Sequence, residues 1–289
     1  MSIDSDSITL DEIEQEKNGK EYEAQIGILR EALQRLQGKR HYVIDVKTIQ
    51  NTVRFALIGD LHRGSFYERN DALNEFYRFL EQENIDTVLI AGDVLDGHGI
   101  YRGQEFEQYA HGFDQQLEAL KDRHPKSDKI KTIFITGNHD YSFKRESGID
   151  VGKHIEMATG WKCAGADLAW VDLCIEDKRH LNVGLYHPDG GTAYAISYKS
   201  QKLVEQIPGG KKPDMIGIGH FHKSEWLPRY RNVSVFQVGC FQSQTPFMAR
   251  KPTDAHVGGW IIEVIPGNRK QLTSRVRGEF IGFYEPEEK

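Results

Sequence analysis

A chain of 289 residues, 38% apolar and 28% charged, can build one large domain or two small ones and is too apolar to be disordered. No apolar run approaches roughly 18 residues and no cationic stretch precedes an apolar one near the start, which argues against a transmembrane helix and a secretory signal. Cys163, Cys174 and Cys240 are scattered without Cys-x-x-Cys spacing, so the sequence points to a reducing, cytoplasmic setting rather than a disulfide framework.

The formal net charge is −6. Residues 1–23 account for all of it, with eight carboxylates (Asp4, Asp6, Asp11, Glu12, Glu14, Glu16, Glu21, Glu23) against Lys17 and Lys20. The remainder is balanced, so bulk charge does not exclude a polyanionic substrate. Residues 1–50 read as an acidic N-terminal extension. Within it Tyr22, Ile26, Leu29, Leu33 and Leu36 form one helical stripe, stopped by Gly38, which suits packing on its own domain or a homo-oligomer contact through residues 22–36.

From residue 51 to 289 short apolar strands alternate with helices. Strands are expected over 53–59, 86–91, 131–136, 171–175, 181–186, 215–219, 233–238 and 259–265, and helices over 70–83, 104–123, 149–159 and 192–206. The pattern predicts a single α/β domain with two sheets packed face to face and flanked by helices.

Five clusters of metal-capable residues follow strands: Gly59-Asp60-Leu61-His62, Gly92-Asp93-Val94-Leu95-Asp96, Gly137-Asn138-His139-Asp140, the lone His187, and Gly219-His220-Phe221-His222. Ligands of open α/β sheets sit beyond the carboxyl ends of strands, so clusters remote in sequence can converge there. Two carboxylates, four imidazoles and an amide, with no thiolate, suit borderline divalent metals rather than calcium. The set is too large for one ion with an open position, and two ions sharing a carboxylate would use it.

Asp-x-His, Gly-Asp-x-x-Asp, Gly-Asn-His-Asp, a lone His and Gly-His-x-His together resemble the calcineurin-like metallophosphoesterase superfamily. The resemblance implies a four-layer αββα sandwich. It implies that Asp60, His62, Asp93 and His222 hold one metal, and that Asp93 bridges to a second held by Asn138, His187 and His220. It further implies that His139 contacts the phosphate and protonates the leaving oxygen, and that Asp96 orients His139. Manganese is the first expectation for both ions, with Fe, Zn, Ni or Co as alternatives.

The blocks running from Gly92 to Glu105 and from Gly239 to Phe247 also resemble the exonuclease small subunit of archaeal family-D DNA polymerase. That family carries an oligonucleotide-binding barrel ahead of its phosphoesterase domain, where this sequence has only about 50 residues, so a polymerase partner is not implied. What the resemblance implies is a two-metal phosphodiesterase acting on DNA as a 3′–5′ exonuclease. Arg63 and Arg102, just after ligand-bearing segments, are expected at the phosphate. The basic-aromatic segments Tyr198-Lys199, Arg229-Tyr230-Arg231 and 247–251 suit a backbone track or a solvated face. Two alternatives stay open: a small-molecule phosphoesterase acting on a cyclic nucleotide, nucleotide or phosphomonoester, and a non-catalytic interaction protein working through residues 22–36.

Overall fold

The computed structural model describes residues 41–45, 48–49, 52–175, 179–191, 193–265 and 275–284, all within one compact unit of residues 40–289. The acidic segment of residues 1–23 and the helix and oligomer contact expected over 22–36 lie outside the described residues.

In chain order the strands are β1 His41–Asp45, β2 Thr48–Ile49, β3 Thr52–Ile58, β4 Thr87–Ala91, β5 Lys131–Thr136, β6 Lys162–Ala166, β7 Leu168–Ile175, β8 Arg179–Tyr186, β9 Met215–Ile218, β10 Ser224–Tyr230, β11 Val233–Val238, β12 Gly258–Ile265 and β13 Arg275–Gly282. The helices are α1 Asn70–Gln82, α2 Gly112–Arg123, α3 Asn138–Ser147, α4 Val151–Thr159, α5 Tyr198–Gln206 and α6 Pro246–Arg250. One mixed sheet runs β13-β12-β3-β4-β5-β6, with β2 beside β3, and the other runs β1-β7-β8-β9-β11-β10. β1, from the segment read as extension, pairs in parallel with β7.

Strand alternation makes the layers. Val53, Phe55 and Leu57 of β3 point between the sheets, against Val183 and Leu185 of β8 and Phe236 of β11. Ala56 and Ile58 point the other way, toward Leu73, Phe76 and Leu80 of α1. β3 is therefore buried on both faces, the expected fate of a near-continuous apolar run. Ile216 and Val235 on the outer face of the other sheet cover Val204 of α5. The result is the four-layer αββα sandwich. Burying each Leu or Phe side chain contributes about 1.5–3 kcal/mol, so the three apolar clusters supply the main folding drive.

Several elements depart from expectation. The helix expected over 104–123 is a 3₁₀ turn, Gln104–Glu107, followed by α2, with the chain extended at Gln108 and His111 between them. The helix expected over 149–159 starts at Val151, capped by the Asp150 side chain on Lys153 N. The helix expected from residue 192 begins at Tyr198. No helix among the described residues is long and apolar enough to cross a membrane.

Candidate metal centre

All five clusters leave the carboxyl ends of central strands. Asp60 and His62 follow β3, Asp93 follows β4, Asn138 and His139 open α3 directly after β5, His187 follows β8, and His220 and His222 follow β9. The chain turns sharply at these exits: Asp60, His62, Asp93, His220 and His222 all take positive φ, between 47° and 79°. Such conformations in residues with a Cβ are strained and persist only where the surroundings impose them. Gly92 also takes positive φ, and a Cβ there would collide with the His187 ring. A Cβ on Gly137 would strike the Asp93 carboxylate. Both glycines are needed for the close approach of ligand-type groups.

Donor atoms converge in three groups: Asp60, His62 and His222; His62, Asp93 and His139; and Asp93, His187 and His220. Asp93 belongs to the second and third, with Oδ2 3.9 Å from His62 Nε2 and 3.0 Å from His187 Nε2. His222 Nε2 lies 3.0 Å from His62 Nε2 and 3.4 Å from Asp60 Oδ1. Asn138 Oδ1 lies 3.0 Å from His187 Nε2 and 2.9 Å from His220 Nδ1.

The outer nitrogens fix which lone pairs face inward. His62 Nδ1 faces the Asp96 carboxylate at 3.1 Å, and His187 Nδ1 faces the Ala91 carbonyl at 2.7 Å. His220 Nε2 faces the Gly190 carbonyl at 2.5 Å. Each such nitrogen carries the proton that the oxygen accepts, so His62 Nε2 and His220 Nδ1 turn bare toward the centre, while His187 Nε2 faces the Asp93 carboxylate. This surplus of acceptors calls for positive charge. Against burial, Asp93 raises the His187 imidazole to about 10, and His187 and His139 hold Asp93 well below the usual carboxylate range. Burial, then neighbouring imidazoles, lower His62 and His220, which keeps both neutral and able to donate a lone pair. The donor set fits divalent cations.

The model of the calcineurin-like phosphoesterases matches residues 53–242. The chain belongs to the calcineurin-like phosphoesterase family. It is similar to a DNA polymerase II small subunit of Halobacterium salinarum, 35% identical over 234 residues, covering 69% of this chain and 46% of that protein. The protein of that name from Pyrococcus horikoshii is 30% identical over 289 residues, covering 80% of this chain and 46% of the relative. The chain thus spans about half the length of these curated relatives. Among solved structures, Vps29 of Entamoeba histolytica complexed with zinc matches at 13% identity and a TM-score of 0.37, covering 80% of this chain and 100% of that one. GAP50 of Plasmodium matches at 12% identity and a TM-score of 0.44, covering 80% and 84%.

Within this phosphoesterase site, the part expected of Asp96 needs correction. His139 Nδ1 faces the Asp96 main-chain oxygen at 2.6 Å, whereas the Asp96 carboxylate turns to His62. Three glutamines meet that carboxylate: Gln104 and Gln108 Nε2 donate to Oδ2 at 3.3 and 2.6 Å, and Gln242 Nε2 to Oδ1 at 3.4 Å. Sequence reading did not single out these glutamines, although Gln104 and Gln242 fall in the two blocks resembling the polymerase subunit.

Asp140 is a second group left without a role by the sequence. Its buried carboxylate accepts from Gly137 N at 2.9 Å, Val94 N at 3.1 Å and Leu95 N at 2.8 Å, stapling the Asp93 loop to the Asn138–His139 turn. Burial and the Asp93 charge push it up to about 7, against the pull of those three donors.

Arg63 does not reach the site. It is 1% exposed, donates to Asn70 Oδ1 at 3.0 Å and lies 3.4 Å from Glu68, so its guanidinium belongs to the interior and not to a phosphate. Arg102 is exposed on the loop beyond Tyr101 and does not line the cleft. The cleft over the cluster has a volume of about 480 Å³ and walls that include Tyr101, Asp189, Phe247 and Lys251. Tyr101 and Phe247 stack there at 4.1 Å and 16° between planes.

Proposed function

We propose that the chain hydrolyses phosphodiester bonds with a pair of divalent cations, and that it acts on DNA as a 3′–5′ exonuclease. The observation that carries this reading is the sharing of Asp93 between two donor groups on the floor of an open cleft. Asp60, His62, Asp93 and His222 would hold one cation, and Asp93, Asn138, His187 and His220 the other, with manganese the first metal to try. When bound, such a pair polarises phosphoryl oxygens and acidifies a water for in-line attack.

The chain's own groups do the rest. Asp93, shared between both halves, sets their separation. Asp96 fixes the His62 ring and the Ala91 carbonyl fixes His187, each by taking the outer ring proton. His139 gives Nδ1–H to the Asp96 main-chain oxygen, and its ring stands edge-on to His62 with centroids 4.5 Å apart. A proton held at Nε2, on the cleft side, is then placed to pass to the leaving oxygen as the ester bond breaks. The DNA reading is supported by the named polymerase subunits that the chain resembles and by the aromatic wall of the cleft. Turnover of bis-p-nitrophenyl phosphate, p-nitrophenyl phosphate and end-labelled single-stranded DNA with added manganese tests it. Shortening of the DNA from its 3′ end supports it. Cleavage of the monoester alone would favour the small-molecule alternative.

A further inference from the structure

A second cavity, of about 360 Å³, adjoins the metal cleft and shares Phe221, Lys251 and Thr253 with it as common wall. Its own lining brings Lys199, at the start of α5, beside Lys223, just after the His220-His222 turn. No carboxylate lines it. Asp254, next to its rim, lies 3.8 Å from His256, and Glu225 behind the wall accepts from Gln237 at 2.8 Å and Ser200 at 3.2 Å. Lys199, Lys223 and Lys251 have no carboxylate partner among the described residues. Tyr194, in the same lining, stands fully exposed.

We infer that this lysine-lined cavity is a second phosphate subsite, which holds the polynucleotide strand next to the phosphodiester being cleaved. The inference rests on the phosphodiesterase reading and adds the substrate class: a single strand longer than a dinucleotide, held by its backbone. Three ammonium groups without a carboxylate partner in a carboxylate-free cavity attract a polyanion, and release of its counterions makes that attraction dependent on salt. A base beyond the lysines can stack on Tyr194 without sequence preference. The cavity adjoins the metal cleft at Phe221, Lys251 and Thr253, so one strand can reach across both. The three basic-aromatic segments separate on this point. Lys199 and Lys251 line the path, while Tyr230 and Arg231 are turned to Glu205, at 2.7 and 3.4 Å.

Fluorescein-labelled dT10 and dT2 are titrated with the full-length protein by anisotropy over a range of salt, for wild type, Lys199→Ala/Lys223→Ala and Lys199→Arg/Lys223→Arg. Wild type should bind dT10 well above dT2. The alanine pair should lose about tenfold or more of dT10 affinity at low salt, and the slope of log K against log salt should fall by about 1.4, two phosphate contacts on a single strand. The arginine pair keeps the charge and should retain both affinity and slope, which separates charge from folding. Equal affinities for dT10 and dT2, or an unchanged slope in the alanine pair, would overturn the subsite. Turnover of bis-p-nitrophenyl phosphate by wild type reports separately on the phosphodiesterase reading. A protein that turns over this diester yet shows no length dependence keeps that reading and loses the subsite.

Discussion

Asp96 serves two histidines with two different oxygens: its carboxylate faces His62 Nδ1 at 3.1 Å and its main-chain carbonyl faces His139 Nδ1 at 2.6 Å. The side chain therefore holds the His62 ring, and the main-chain oxygen holds that of His139. Asp96→Asn should weaken metal binding about 10–100-fold, the usual cost of losing a carboxylate behind a ligating histidine. Isothermal titration with manganese measures it. Unchanged metal affinity together with lost turnover would return Asp96 to the part of orienting His139.

His139→Ala separates binding from proton transfer. Metal content should stay near that of wild type, and turnover of a diester with a poor leaving group should fall by about 10²–10⁴-fold. The fall should shrink for a nitrophenyl ester, whose leaving oxygen needs no proton. Equal losses for both esters would show that His139 is not the acid.

Asp93 and His62 each belong to two donor groups, but only Asp93 belongs to the group built on His187 and His220. With Asp93 bridging as proposed, Asp93→Ala should empty the centre, whereas His62→Ala should leave the half built on His187 and His220 able to hold a cation. Elemental analysis of protein purified without chelator checks both variants. Two metals retained by Asp93→Ala would be inconsistent with a bridge.

Away from the cleft, His124 predicts an acid-sensitive stability. The ring is buried, with Nε2 3.0 Å from the Tyr77 hydroxyl, and burial, then the Arg63 charge, hold the imidazole well below its ordinary 6.5. The unfolded chain takes up a proton near 6.5 that the folded chain refuses. The stability contribution is therefore full above that value and declines as pH falls below it, until the folded group also titrates. His124→Phe should make the loss between about pH 7.5 and about pH 5.5 smaller, on the order of 1 kcal/mol, one pH unit of differential protonation. Urea unfolding of both proteins at the two pH values measures the difference.

The convergence of the donor side chains was legible in the sequence because each follows an apolar strand, where the fold brings them together. The helix α3 was not, since Asn138, His139 and Asp140 read as a ligand loop although they also form its first turn. β10 and β13 escaped for another reason. They are edge strands with one open face, and Pro228 and the alternating Arg275, Arg277 and Glu279 mask the apolar signal. The glutamines on Asp96 carry no motif of their own. Gln104, Gln108 and Gln242 come from two remote segments, and only the folded chain shows that they meet. Arg63 shows the opposite failure. Adjacency to His62 in sequence suggested the phosphate, but the turn at His62 (φ 47°) is followed by a side chain that packs inward on Glu68.

The most direct test of a two-cation centre is activity as a function of metal added back. Protein stripped with chelator and titrated with manganese should be inactive on bis-p-nitrophenyl phosphate at zero metal. Turnover should rise to a plateau at about two equivalents, the stoichiometry of a site with a shared carboxylate. Full turnover in the stripped protein, or a plateau at one equivalent, would contradict the account.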